Sequence, residues 1–110
     1  MAGTDNPSTD HPTIDEQVKQ RQEHDLKVPD LYRVLLHNDH YTTMEFVVEV
    51  LVKVFHKSVL DATEIMLNVH ERGAGQAGQY TYDIAQTKVA VVHRMAKQRE
   101  YPLRCTIEKV

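Results

Sequence analysis

The sequence has little of several features that mark common functional classes. Its 110 residues include a single cysteine, Cys105, which excludes an internal disulfide and any CxxC metal pair. No apolar run is long enough to span a membrane and nothing reads as a secretory signal, so we expect a cytoplasmic protein without a membrane partner. The net charge of -3 argues against nucleic-acid binding, which normally requires a basic surface. No glycine-rich loop offers a cradle for a phosphate or an oxyanion.

Charge and apolar content divide the chain into two parts. Residues 1–27 hold six Asp or Glu and three Lys or Arg, a net of -3, whereas the remainder holds ten of each. The leading part also has few aliphatic side chains, so it cannot bury enough apolar surface to offset the conformational entropy lost on ordering. We therefore expect a flexible N-terminal arm over residues 1–28 and one small domain over residues 29–110.

Hydrophobic spacing predicts six elements in the order β-α-α-β-α-β. They are a strand at 31–36, a helix from a Thr42–Glu45 capping box to His56 or Lys57, a helix between a Ser58 cap and Gly73, a strand at 79–82, a helix at 83–98 and a strand at 103–110. Residues 74–78 are mostly small, which predicts a turn. The expected fold class is α/β (α+β), a three-stranded antiparallel sheet packed with three helices.

A polar loop, residues 37–41, connects the first strand to the first helix. The first two helices are joined by few residues and should lie antiparallel, which brings His70 at the end of the second helix beside the loop. Asn38, Asp39 and a neutral His70 can all accept hydrogen bonds from an ammonium. The groove beneath them would be lined by Met44, Val47, Met66 and Val69. This arrangement fits a free peptide N-terminus with a large apolar side chain; the alternative is a solvated turn above ordinary core residues.

The histidines and the cysteine also allow an enzymatic interpretation. His37 and His40 could contribute to a metal site, but no second cluster stands at a familiar ligand spacing. Cys105, His70 and Asp39 could form a hydrolase triad, but Cys105 falls at an inward position of an alternating strand, where a buried, inert thiol is usual. We therefore predict no catalytic residue, metal or cofactor, and keep a metal- or cysteine-dependent hydrolase as the alternative.

The sequence resembles the ClpS family in four stretches, Asn38–Val47, Ile65–His70, Thr87–Ala90 and Pro102–Lys109. They follow one another in order, within a resemblance that extends from about Tyr32 to the C-terminus. Members of this family are bacterial adaptors that deliver N-degron substrates to a AAA+ Clp protease. The resemblance implies a fold like that of the C-terminal domain of the ribosomal stalk protein, and an adaptor rather than an enzyme.

The resemblance also implies which residues contact a substrate. Asn38, Asp39 and His70 would bind the α-amino group of a polypeptide whose first residue is Leu, Phe, Tyr or Trp. Met44 would exclude β-branched first residues through their extra substituent at Cβ. The whole side-chain pocket would be lined by Thr42, Met44, Val47, Met66, Val69 and Leu103.

The unfoldase partner follows from the same resemblance. Asp83 and Lys88, on the third helix, would bind the N-terminal domain of a ClpA-like or ClpC-like AAA+ unfoldase. The arm over residues 1–28 would be the segment fed toward the unfoldase pore during transfer of the substrate.

Two residues depart from the family pattern. His40 stands where the family usually has a second Asp, and Thr43 where it usually has Pro. Without the acid the negative potential near a bound ammonium falls, most of all when His40 is protonated. Without the proline the first helical turn loses a pre-set backbone angle. A chain that binds the unfoldase but has weakened degron binding is therefore a second alternative.

Overall fold

The structure, a computed structural model, describes residues 28–110. In chain order its elements are β1 (Tyr32–His37), α1 (Met44–Lys53), α2 (Val59–Arg72), β2 (Ala74–Tyr80), α3 (Tyr82–Gln98) and β3 (Arg104–Lys109). The predicted β-α-α-β-α-β order and the three-stranded antiparallel sheet with three helices are confirmed. The predicted arm lies outside the described residues, apart from the exposed Val28.

The sheet has the strand order β2-β1-β3, so that β1 lies between its two antiparallel partners. Successive residues of β1 face opposite sides. Val34 and Leu36 are fully buried on the side that the helices cover. Arg33 faces the other side and forms an ion pair with Glu108 of β3 at 2.9 Å. The sheet therefore has one apolar face and one polar face, as an antiparallel sheet with helices on one side should.

The core is built from the apolar faces of the helices against this sheet. Helix α2 packs on β2 and on α1, while α3 packs mainly on β3. Burying one large apolar side chain contributes about 1.5–3 kcal/mol. The largest fully buried side chains are Phe46, Leu36, Leu51, Val34, Val50, Val69 and Val92. None of the helices within residues 28–110 combines the length and apolar character needed to cross a bilayer.

Helix α1 begins one residue later than the capping box predicts. The cap is Thr43, whose side chain accepts a hydrogen bond from the Phe46 backbone N–H at 3.2 Å. The Thr42 hydroxyl is instead directed toward the loop, where it donates to Asp39 Oδ2 at 2.8 Å. The loop before the helix therefore decides which of two adjacent threonines caps it.

Helix α1 also ends earlier than predicted, at Lys53 rather than at His56 or Lys57. Lys88 of α3 donates from Nζ to the Val54 carbonyl at 2.7 Å, which satisfies one of the carbonyls left free at a helix end. His56 then adopts the left-handed conformation, with φ of 58°, and turns the chain toward α2. A contact from a distant helix thus marks where α1 stops.

Helix α2 begins and ends at the residues that its sequence indicates. The Ser58 hydroxyl accepts from the Asp61 backbone N–H at 3.1 Å, and Gly73 ends the helix with φ of 89°. A left-handed glycine at this position is a common helix stop because it lacks a Cβ. These two local signals fix both ends of α2, and therefore where His70 stands.

The turn predicted at residues 74–78 is wrong, because these residues belong to the seven-residue strand β2. Their small size serves the contact with α2: a Cβ on Gly75 would stand 2.8 Å from Val69 Cγ2. The register against β1 shifts between Val34 and Leu35, which leaves the buried Ala77 as the extra residue of a bulge. Small residues favour turns in isolation, but here they let a helix approach a strand.

Candidate functional site

A cavity of about 290 Å³ opens where the loop after β1, the start of α1 and the end of α2 meet. Its volume suffices for a large side chain, since an apolar cavity of about 150 Å³ holds a benzene molecule. The loop and the end of α2 contribute polar groups, and the two helices contribute apolar ones. The lining residues are Asn38, Asp39, His40, Thr42, Met44, Val47, Met66, Val69 and His70.

Asp39 holds the loop in shape. Its Oδ1 accepts hydrogen bonds from the backbone N–H groups of Tyr41 at 2.8 Å and Thr42 at 2.7 Å, and its Oδ2 accepts from the Thr42 hydroxyl. Burial alone would raise the pKa of Asp39, but the hydrogen bonds from Thr42 and Tyr41 and the charge of His40 outweigh it and lower that pKa. The cavity therefore contains a fixed negative charge at neutral pH.

Asn38 and His70 are brought to the same rim by the ends of their elements. The Asn38 backbone N–H donates to the Gly73 carbonyl at 2.9 Å, which ties the loop to the end of α2. His70 lies one turn before Gly73 on that helix. Both side chains are solvent-exposed, and neither makes a hydrogen bond within residues 28–110. The rim thus offers an amide and an imidazole beside the carboxylate of Asp39.

The apolar part of the cavity is formed by both helices of the predicted hairpin. Val47 of α1 and Val69 of α2 are buried and form its floor. Met66 is half-buried beside them, and Met44 is 43% exposed at the rim. An apolar side chain entering this cavity would contact branched side chains at the bottom and flexible methionines around it.

Chemically, the arrangement suits a cation with an adjacent apolar group. Carboxylate, amide oxygen and neutral imidazole are all acceptors for the three protons of an ammonium. Hydrogen bonds that involve a charged group are roughly twice as strong as neutral ones. An anion would instead meet the Asp39 carboxylate, so the electrostatics select a positive group.

Of the six residues predicted for the side-chain pocket, the structure brings Thr42, Met44, Val47, Met66 and Val69 together, but not Leu103. Leu103 is 4% exposed and lines a second, more open depression of about 750 Å³, which Tyr41 also borders. Leu103 directly precedes β3 and is not among the residues that line the cavity. His40 was not among the residues predicted to bind the α-amino group or to line the pocket, but the family comparison placed it near the bound ammonium, and it does line the cavity.

Asp83 and Lys88, the two residues predicted to bind an unfoldase, both lie on α3, away from the cavity. Asp83 is exposed in the first turn. Lys88 is half-buried, with its Nζ bonded to the Val54 carbonyl and 5.1 Å from the centre of the Tyr80 ring. Lys88 therefore makes contacts within this domain, whether or not it also binds an unfoldase.

The hydrolase residues are dispersed. Asp39 and His70 line the cavity, but Cys105 lies on β3 and is 3% exposed, and burial raises its thiol pKa to about 12. His37 instead bonds to Thr106 Oγ1 at 2.7 Å, and burial, followed by the charge of Arg104, lowers its pKa. Within residues 28–110 no group of three or more His, Cys, Asp or Glu side chains is placed to share a metal ion.

Comparison with known proteins identifies the family. Residues 27–106 match the family model described as "ATP-dependent Clp protease adaptor protein ClpS". The chain belongs to the ClpS family. ClpS of Syntrophus aciditrophicus is 55% identical over 97 residues, which cover 88% of this chain and 91% of that protein. ClpS of Desulfatibacillum aliphaticivorans is 60% identical over 80 residues, 73% of this chain and 77% of that protein.

A solved ClpS structure is similar to this one. The structure of Agrobacterium tumefaciens ClpS2 bound to L-phenylalaninamide has a TM-score of 0.73 and 36% sequence identity, over 76% of this chain and 100% of that chain. The predicted family and fold are therefore confirmed by both sequence and structure. The ligand in that structure belongs to the Agrobacterium protein.

Proposed function

We propose that this chain is an adaptor that binds the free α-amino group and the bulky hydrophobic first residue of N-degron substrates and delivers them to a AAA+ Clp unfoldase-protease. The observation that carries the proposal is the cavity in which Asn38, Asp39 and His70 stand above an apolar floor. Membership of a family of Clp protease adaptors supports the same conclusion.

The α-ammonium would be recognised at the polar rim. Asp39 supplies the compensating charge. Its Oδ1 already accepts two hydrogen bonds, from Tyr41 and Thr42, whereas its Oδ2 accepts one and keeps a lone pair for the ammonium. Asn38 Oδ1 and one nitrogen of His70 are acceptors that no group within residues 28–110 occupies. An amide or a hydroxyl in place of the ammonium would lack the charge that Asp39 requires.

The first side chain would enter the apolar part of the cavity. L-phenylalaninamide, the ligand of the Agrobacterium ClpS2 structure, has a free α-amine, a benzyl side chain and an amide where a peptide would continue. A Leu, Phe, Tyr or Trp side chain placed between Val47 and Val69 would lose its contact with water and gain packing on both helices. Met44, at the rim, would restrict branching next to the backbone.

Transfer to the protease would use a different surface. In this proposal, Asp83 and Lys88 bind the N-terminal domain of a ClpA-like or ClpC-like unfoldase. The arm over residues 1–28 enters the pore of that unfoldase. The cavity and α3 occupy separate parts of the domain, so substrate and unfoldase could be bound together. The chain would act in the cytoplasm and would have no catalytic activity of its own, so a bound peptide would remain intact by mass spectrometry.

The deciding experiment compares a Phe-initiated peptide with its N-acetylated form by isothermal titration calorimetry. We expect micromolar or tighter binding of the free peptide. Acetylation should weaken binding at least about tenfold, because a hydrogen bond to a charged group contributes about 1.5–3 kcal/mol. His70→Ala should weaken all free peptides, whereas Asn68→Ala, an exposed residue of the same helix outside the cavity, should not. Equal binding of the acetylated peptide would contradict the proposal.

A further inference from the structure

The rim of the cavity holds one polar side chain that the proposed function does not use. Asp39 is bonded to Tyr41 and Thr42, and in the proposed function Asn38 and His70 would contact the ammonium. His40 also lines the cavity, is exposed, and makes no hydrogen bond within residues 28–110. An exposed imidazole beside a ligand cavity is free to contact whatever passes it.

The geometry of the cavity determines what passes His40. With the ammonium held at the rim and the first side chain between the buried Val47 and Val69, the first carbonyl and the second residue must leave through the mouth. Consecutive Cα atoms are about 3.8 Å apart, so the second side chain begins close to the rim. His40 follows directly after Asp39 and lies near enough for its charge to contribute to the lowered pKa of the Asp39 carboxyl. Both residues line the cavity, so His40 stands beside the group that would hold the ammonium.

We propose that His40 is a specificity-determining residue of this cavity, whose imidazole contacts the second residue of the bound polypeptide and favours Asp or Glu there. This inference rests on the proposed function. An imidazole can donate an N–H in either charge state and carries a positive charge when protonated. Among residues 28–110, no Lys or Arg lines the cavity, and in the proposed function His70 would be taken by the ammonium. Among the described lining residues, the imidazole of His40 is therefore the donor left for the second residue.

The expected preference is small and measurable. Exposed ion pairs contribute little, so we expect Phe-Glu peptides to bind about two- to fivefold more tightly than Phe-Gln peptides of otherwise identical sequence. Glutamine has the shape of glutamate without its charge. Phe-Lys peptides should bind more weakly than Phe-Gln peptides, because their second residue carries the same sign of charge as a protonated His40.

The test measures the Phe-Glu to Phe-Gln affinity ratio at pH 6.5 in the full chain and in two variants. His40→Asn removes the imidazole at the rim. His56→Asn removes an exposed imidazole outside the cavity and is a matched control, since asparagine tolerates the left-handed conformation of that residue. Taking the ratio within each protein cancels any general change in affinity. A Phe-Ala peptide is measured in parallel.

The expected result is a ratio of about two to five in the wild type and in His56→Asn, and a ratio near one in His40→Asn. A ratio near one in the wild type would overturn the role of His40, and so would the same ratio in His40→Asn as in the wild type. If the wild type still binds the Phe-Ala peptide, the proposed function stands in either case. Failure of the wild type to bind Phe-Ala would overturn both.

Discussion

Gly75 packs against Val69, a residue of the cavity floor, so Gly75→Ala should change both the stability of the domain and the shape of its cavity. A Cβ at this position would stand 2.8 Å from Val69 Cγ2 and 3.4 Å from the Ile65 carbonyl, closer than side chains normally approach. Val69 has one preferred χ1 rotamer in a helix and cannot swing away easily. Its side chain is 2% exposed and forms part of the cavity floor. The extra methyl must therefore displace Val69 or move α2 from β2.

The expected cost of Gly75→Ala is about 1–3 kcal/mol of unfolding free energy, as for other overpacked cores. For a domain of this size each kcal/mol lowers Tm by about 4–8 °C. Urea unfolding followed by circular dichroism gives the free energy, and calorimetry with a Phe-initiated peptide gives the affinity. We expect both to fall, because the residue that yields is a wall of the binding cavity.

Gly78→Ala is the matched control for Gly75→Ala. Its Cβ would meet the hydroxyl of Tyr80 at 2.5 Å and two ring carbons at 2.8 Å, the far end of a side chain that can rotate. We expect a smaller loss of stability and unchanged peptide affinity, since neither residue lines the cavity. An unfolding free energy of Gly75→Ala equal to that of the wild type, or a larger loss in Gly78→Ala, would refute this account of the packing of α2 on β2.

Two further predictions concern single side chains. Met44→Ala should allow peptides that begin with Ile or Val to bind, because the shorter side chain opens space at the rim, where Met44 is 43% exposed. Calorimetry with Ile- and Leu-initiated peptides measures this change, and unchanged selectivity would contradict a gating role for Met44. Cys105 should resist thiol reagents at about pH 8 in the folded protein, because burial raises its pKa to about 12 and the thiolate is the reactive form. Labelling should become rapid in concentrated guanidinium chloride, and equal rates in both conditions would show that the thiol is accessible.

Features that depend on local chemistry could be predicted from the sequence. The Ser58 cap and the Gly73 stop of α2 each need only a side-chain oxygen or a missing Cβ at the right position. Those two ends place His70 beside Asn38 and Asp39, which the short connection between α1 and α2 already indicated. The composition of the polar rim followed from these local signals together with the helix hairpin.

Features that depend on contacts between distant segments could not be predicted in this way. Thr42 and Thr43 are both acceptable caps, and the sequence does not show that the Thr42 hydroxyl turns toward Asp39 while the Thr43 hydroxyl turns toward the helix. Residues 74–78 look like a turn until α2 is placed against them. The position of Leu103, outside the cavity, depends on how the segment before β3 passes the loop, and nothing in its own neighbourhood indicates this.

The bonds that hold the loop between β1 and α1 have a kinetic consequence. Since Asp39 already secures Tyr41 and Thr42, and the Gly73 carbonyl secures Asn38, an arriving polypeptide meets a polar rim whose backbone is already held in place. Association should then approach the rate set by diffusion and orientation, about 10⁵–10⁷ M⁻¹s⁻¹ for most complexes. Differences among substrates would appear in how long each one stays, and residence time would determine which of them reaches the protease.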